Sequence, residues 1–416
     1  MTVNQRFYYS DEMYYQRSAE CLRNAVDMGR ITIRDKQLIE EFITEQDAKG
    51  ISPSRHHKLV KLIVGNREFH PAFVDCTNAD VLRAVSKIRY VKRKPRRNEK
   101  RAAEDMPLTT QNTISDRTRL LKRFFIWIIE NGYNSYLDAK KIMGIKPPAF
   151  KRDCIQAADI LTEDEVLSFL NACYTSRDKA LFNVLFEGAL RVGDIGNLRF
   201  QDLLITDNVC RLKTSGKTGV LRTIPLFSSR AYLSQWINVY PGEVTPDKFV
   251  FVKNNGQPLT HAGIATLTRK IAVRAGITKK VYPHLFRHTR ISYWTREGLD
   301  EAKIKLLAWG SQNTQMMGVY SHLTVDDLEK SLAEMQGIEM PTSGHADTQS
   351  HKRPLKPIQC SHCGSINPPG SMYCGVCYYP LTRDSEEEII RLAGIIKDKL
   401  LSNPEAFAAM LCPEKR

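Results

Sequence analysis

The sequence predicts a mainly helical chain of the α+β class, with two substantial domains and one small metal-dependent module. Three observations carry this expectation. Apolar residues recur at helical spacing over most of the length. One hairpin pattern stands out, Val209 to Leu226, with Ser-Gly-Lys-Thr-Gly at its tip. Two Cys-x-x-Cys pairs, Cys360 with Cys363 and Cys374 with Cys377, fall in a segment of about 25 residues, too small to bury a core of its own.

Composition sets the outer limits. A chain of 416 residues, 42% hydrophobic and 26% charged, supports two or three folded domains and excludes a wholly disordered chain. It contains no run of about eighteen uninterrupted apolar residues, so no membrane-spanning helix is expected. The opening MTVNQRFYYSDEM lacks the character of a signal peptide, which points to the cytoplasm. The 61 Lys and Arg against 46 Asp and Glu leave a net charge of +15, so a polyanion is the first partner to consider. The basic residues mix with aromatics over several folded segments instead of forming one amphipathic tail. That favours nucleic acid over a membrane surface.

Residues 1–30 read as an N-terminal extension and 31–135 as a helical domain. Leu38, Ile39, Phe42 and Ile43 share one helical face, and Ser52-Pro53 reads as an N-cap followed by proline at the first helical position. A later helix places Leu120, Leu121, Phe124, Phe125 and Ile128 on one side and Arg117, Arg119, Lys122 and Arg123 on the other. Before that helix lies KIRYVKRKPRRNEKR, residues 87–101, with nine basic residues. A charge run of this kind is usually a solvated loop. In so basic a chain, phosphate contact is the stronger reading, through Lys92, Arg93, Lys94, Arg96 and Arg97. Such contacts give affinity without sequence specificity.

Residues 136–160 form a Pro-containing linker in which Lys151 and Arg152 are further candidates for phosphate contact. A second domain, 161–335, opens with a capping box at Thr162 and Glu165 and a hydrophobic staple between Leu161 and Val166. A flexible linker follows at 336–357, then the cysteine module at 358–382 and a C-terminal helix and tail at 383–416. Paired knuckles of this spacing close a tetrahedral four-cysteine zinc site with no open position. Such a site is structural and folds the segment around it.

Four segments of the second domain carry candidate chemistry: GALRVGDIGNLRFQDL at 188–203, SGKTGVLRTIPL at 215–226, PHLFRHT at 283–289 and LLAWGSQNTQMMGVYSHL at 306–323. Singly, each has an ordinary structural explanation. Arg191 can cap a helix or pair with Asp194, Lys217 can be an exposed turn lysine, His284 a core histidine and Tyr320 a packing residue. In this order, however, the segments resemble the catalytic domain of the tyrosine recombinases, the phage-integrase family. The family's arginine, hairpin lysine, His-x-x-Arg, His-or-Trp and tyrosine fall on Arg191, Lys217, His284, Arg287, Trp309 and Tyr320. Residues 161–325 carry the resemblance closely. Residues 31–135 are more loosely similar to the family's helical, SAM-like core-binding domain.

The resemblance implies a site-specific recombinase that cuts and rejoins double-stranded DNA through a 3′-phosphotyrosine, without a catalytic metal. Tyr320 would attack, and Arg191, Arg287 and Trp309 would hold the phosphate. Lys217 would protonate the departing 5′-oxygen, and His284 would assist. A tetramer assembled on recombination sites, associated with the nucleoid, is implied as well. Integration or excision of a mobile element is the role that the zinc module, basic segment and length favour. Other readings are a DNA-binding regulator on a decayed recombinase scaffold and a relaxing enzyme similar to type IB topoisomerases.

The chain departs from the family pattern in three places. Asp194 stands where glutamate is usual, Trp309 replaces the commoner histidine, and the interval from Trp309 to Tyr320 is two residues longer than in bacterial members. The run from Trp309 to Leu323 looks instead like archaeal members, which often carry a C-terminal zinc ribbon.

Overall fold

A computed structural model describes residues 10–93, 102, 105–151, 157–206, 208–215, 219–314, 317, 355 and 357–402. These fall into two compact units, from residue 10 to 151 and from 157 to 402. Among the described residues, no helix is long and apolar enough to cross a membrane.

The first unit is wholly helical: α1 (Asp11–Asp27), α2 (Ile33–Ala48), α3 (Pro53–Asn66), α4 (Asn78–Arg89), α5 (Gln111–Glu130) and the short α6 (Ala139–Met143). Local chemistry starts the helices. Thr32 with Asp35 and Thr77 with Asp80 form capping boxes, and Pro53 opens α3 after Ser52. Asp35 does more than cap. Its buried carboxylate also accepts from Arg67 Nε and from the Phe73 backbone N–H, both at 2.9 Å. The core is aromatic, with Phe42, Phe73, Phe124 and Trp127 meeting mostly edge to face. The expected face of α5 is buried throughout.

The opposite, basic face of α5 is not simply solvated. Lys122 donates to the Ile145 carbonyl at 3.1 Å, Arg117 to the Gly65 carbonyl at 3.3 Å, and Arg119 stacks over Phe150. Long cationic side chains cover apolar surface and cap neighbouring carbonyls as they do so. The N-terminal extension contributes α1, whose Leu22 and Ala25 join this core. The linker's first part joins it too, through Leu137, Ile142 and Ile145.

In the second unit the Thr162–Glu165 capping box is in place at the start of α7 (Glu163–Asn171). There follow α8 (Ser176–Glu187), α9 (Val192–Gly196), β1 (Leu203–Ile205), β2 (Cys210–Thr214), β3 (Arg222–Leu226), α10 (Ser229–Asn238), α11 (His261–Arg274), α12 (Pro283–Arg296) and α13 (Glu301–Trp309). The three strands form an antiparallel sheet in sequence order. Pairing of Thr214 with Arg222 and of Leu212 with Ile224 closes the expected hairpin. Alternation turns Arg222, Ile224 and Leu226 inward. Two buried helices organise this unit. From α8, Glu187 accepts the Phe227, Ser228 and Ser229 backbone N–H groups at 2.7–3.0 Å, satisfying the start of α10. From α12, Thr289 and Tyr293 hold both backbone groups of Leu161.

The chain then forms a two-stranded ribbon, β4 (Ile358–Gln359) and β5 (Ile366–Asn367), and ends among the described residues in α14 (Arg383–Ser402).

Candidate catalytic site and cysteine cluster

Arg191 is the N-cap residue of α9, and its backbone N–H donates to Asp194 Oδ2 at 3.1 Å. The Asp194 side chain does not pair with the Arg191 guanidinium. It is nearly buried and takes Arg222 Nη2 from β3 at 2.6 Å. Arg222, equally buried, extends its other nitrogen to the end of α13, donating to the carbonyls of Leu307, at 2.8 Å, and Ala308. Arg287, on α12, is 1% exposed and donates to the same Ala308 carbonyl at 2.7 Å and to the Ala189 carbonyl. Its guanidinium lies over the Trp309 ring, 5.1 Å from the centroid. Two buried arginines thus satisfy the last carbonyls of one helix, at the end where the helix dipole favours cations.

Backbone conformation supports this arrangement at two points. Ala189 adopts φ 45°, a left-handed conformation that costs a non-glycine residue on the order of 1 kcal/mol. Gly310 caps α13 at φ 74°, and a Cβ there would meet Val220 Cγ1 at 3.0 Å. The residues just before β3 therefore pack closely on the end of α13, and a larger residue at 310 would have to displace Val220 as well as adopt a strained φ.

His284 sits one position into α12 from Pro283, with part of its ring exposed. Partial desolvation first, then the positive charges of Arg287 and Arg191, push it down to about 4. His288, one turn on, meets its ring edge-on at 4.4 Å and is pushed down to about 3 by burial, His284 and Arg287. His284 is therefore neutral at pH 7, and its ring can take part in hydrogen bonds.

The structure gathers Arg191, His284, Arg287 and Trp309. Lys217 and Tyr320 lie outside the described residues. Sequence reasoning did not single out Arg222, although a signal exists: in Arg222–Leu226 strict alternation puts the arginine on the inward face with Ile224 and Leu226.

The four cysteines also converge, with their Sγ atoms within 4.8 Å of one another. Cys360 to Cys377 and Cys363 to Cys374 are both 3.6 Å. A tetrahedron with Zn–S bonds of about 2.3 Å has edges of about 3.8 Å, so the cluster fits zinc. The knuckles repeat one backbone design. Cys360 and Cys374 N–H groups donate to the carbonyls of Ser365 and Tyr379. The residue four past each first cysteine, Gly364 or Tyr378, is left-handed. His362 is exposed, stacks on Tyr379 and lies outside the cluster.

Of the candidate phosphate contacts, Lys92 forms a bridge with Leu108, and the Arg93 backbone N–H donates to the Pro107 carbonyl. Lys151 is exposed and tied through its backbone to Asn112. Lys94, Arg96, Arg97 and Arg152 lie outside the described residues.

The second unit is thus a mainly helical domain with a short antiparallel sheet, in which Arg287 from α12 lies over Trp309 and Arg191 caps α9. Residues 159–326 match the phage integrase family. The matched range includes the positions of Lys217 and Tyr320. Transposase A from transposon Tn554 of Staphylococcus aureus is 29% identical over 182 residues, covering 41% of this chain and 50% of that protein. The chain therefore spans about half the length of that relative. Tyrosine recombinase XerC of Oceanobacillus iheyensis is 27% identical over 233 residues, 53% of this chain and 73% of its own. Among solved structures, the Tn1549 transposon integrase in complex with a circular intermediate DNA aligns with TM-score 0.51 at 16% identity, covering 72% of this chain and 98% of that one. A lambda integrase dimer bound to a COC′ core site aligns with TM-score 0.53 at 15% identity, covering 76% and 81%. At these identities the likeness is one of fold.

The histidine environment gives a prediction. In ring-proton NMR titrations of the DNA-free protein, His284 and His288 should both have midpoints well below 6.5. Removing a neighbouring cation makes protonation easier, so Arg191→Met should raise the His284 midpoint. A wild-type midpoint at or above 6.5 would contradict the arrangement.

Proposed function

We propose that this protein is a site-specific DNA recombinase that breaks and rejoins duplex DNA through Tyr320, most specifically an integrase acting for a mobile element. The observation that carries the reading is the convergence of Arg191, His284, Arg287 and Trp309 from three separate chain segments around one buried ion pair. A phosphodiester exchanged without a metal needs fixed positive charge at its non-bridging oxygens, a nucleophile and an acid. Arg191 and Arg287 supply planar, permanently charged donors, and the Trp309 indole N–H adds one more. His284 hydrogen-bonds the phosphate or assists proton movement at Tyr320. Lys217 returns a proton to the leaving 5′-oxygen. The phosphotyrosine conserves the bond energy, and a 5′-hydroxyl of another strand reverses the step.

In this reading both units contact one duplex, with Lys92, Arg93, Lys94, Arg96, Arg97, Lys151 and Arg152 contributing phosphate contacts. Recombination joins two duplexes, so the active form is a tetramer on DNA in the cytoplasm, at the nucleoid. The stripe Ile389, Leu392 and Ile396, exposed along α14, suits a contact between protomers. One structural zinc is held by Cys360, Cys363, Cys374 and Cys377. With the spacing from Trp309 to Tyr320, that ribbon supports kinship with archaeal-type members.

One experiment tests the chemistry and the contacts together. Wild type and Tyr320→Phe are incubated in EDTA with nicked duplexes tiled from the DNA flanking the gene. An SDS-resistant, protease-sensitive adduct is expected with wild type only. Tight binding without an adduct would refute the enzymatic reading. On the same duplexes, Lys92→Glu with Arg93→Glu should weaken binding to every sequence and flatten its salt dependence, and an unchanged slope would remove these residues from the interface.

Zinc is tested separately. Metal analysis should return one equivalent per chain, lost in Cys374→Ser with Cys377→Ser. Full zinc content in that variant would refute the four-cysteine site.

A further inference from the structure

We infer that Arg222 is a positioning residue for the catalytic site, rather than only a stabilising core contact. This rests on the recombinase reading above and deepens it. Three separate features meet at its guanidinium. One nitrogen holds the Asp194 carboxylate at 2.6 Å, and that carboxylate also receives the Arg191 backbone N–H at 3.1 Å. The other nitrogen holds the carbonyls of Leu307 and Ala308, immediately before Trp309. Ala308 in turn is shared with Arg287. Arg222 therefore links the segment carrying Arg191 to the one carrying Trp309 and to the anchor of Arg287, although it touches no reacting atom itself.

The chemistry of the node explains why arginine is needed. Asp194 is 8% exposed and Arg222 6% exposed, so the carboxylate depends on its partner for compensation. A planar guanidinium reaches a carboxylate and two carbonyls in fixed directions, whereas an ammonium is a point charge on a flexible stem. Arg191 is close enough for its charge to act on Arg222. Without Arg222, Asp194 would draw the Arg191 guanidinium towards itself and away from a bound phosphate. Asparagine at 194 would remove that pull, yet its carbonyl oxygen would still accept the Arg191 N–H. Arg222 thus holds Asp194 occupied so that Arg191 stays available.

The test compares adduct formation under single-turnover conditions, at saturating protein, for wild type, R222M, R222M with D194N, and R222K. Melting temperature and DNA affinity are measured alongside. We expect R222M to form adduct about 100-fold more slowly at an affinity within about twofold of wild type. D194N in that background should recover at least about tenfold of the loss, which lost packing alone would not allow. A wild-type rate in R222M overturns the proposal, and so does a double variant no faster than R222M. Should R222M not fold, R222K decides. The proposal requires it to be at least about tenfold slower than wild type at unchanged affinity, and a wild-type rate refutes it. Absence of an adduct with wild type itself refutes the recombinase reading, and this inference falls with it. An adduct with wild type and an equal one with R222M refutes this inference alone.

Discussion

The second unit depends on how two buried arginines are neutralised. Arg222 and Arg287 approach the carboxyl end of α13 from β3 and α12, and both donate to the Ala308 carbonyl. Burying a guanidinium costs several kcal/mol unless its donors are met and its charge is balanced. Three sources provide that balance: the unsatisfied carbonyls at the helix end, the Ala189 carbonyl turned by a left-handed residue, and one carboxylate, Asp194. Among the described residues, Asp194 is the acidic side chain paired with Arg222.

The elements around the node serve its geometry. Glu187 fixes the strand end after β3 to α8, and Thr289 and Tyr293 fix Leu161 to α12. Gly310 allows Val220 and the start of β3 to sit against α13. Arg191, His284, Arg287 and Trp309 thus come from elements held by buried hydrogen bonds. That is the preorganisation electrostatic catalysis requires. The cysteine module follows a different logic. Two short knuckles with one repeated backbone design bring four thiols together where no hydrophobic core is available.

Much of this was legible in the sequence. The Thr162–Glu165 box, the apolar face of α5, the hairpin and the paired knuckles all rest on local rules of spacing and capping. The grouping of Arg191, His284, Arg287 and Trp309 came instead from a resemblance over several segments. What stayed hidden depends on tertiary partners. Nothing near Asp194 in sequence says that its cation lies 28 residues away on a strand. Nothing near Glu187 marks it as the cap of α10. Helical periodicity places Arg117 and Lys122 opposite the apolar face, but it does not show that their lengths let them reach carbonyls of neighbouring segments. Residues 1–30 read as an extension outside the helical domain, yet Leu22 and Ala25 of α1 join its core.

The most direct measurement is a crystal structure of the full chain on a nicked duplex, with orthovanadate in place of the scissile phosphate as a five-coordinate mimic of the transition state. The account predicts Arg191 and Arg287 donating to the equatorial oxygens, with Tyr320 at one apex. It also predicts Arg222 still joined to Asp194 and to the end of α13. Vanadate bound away from both arginines, or a nucleophile other than Tyr320 at the apex, would contradict it.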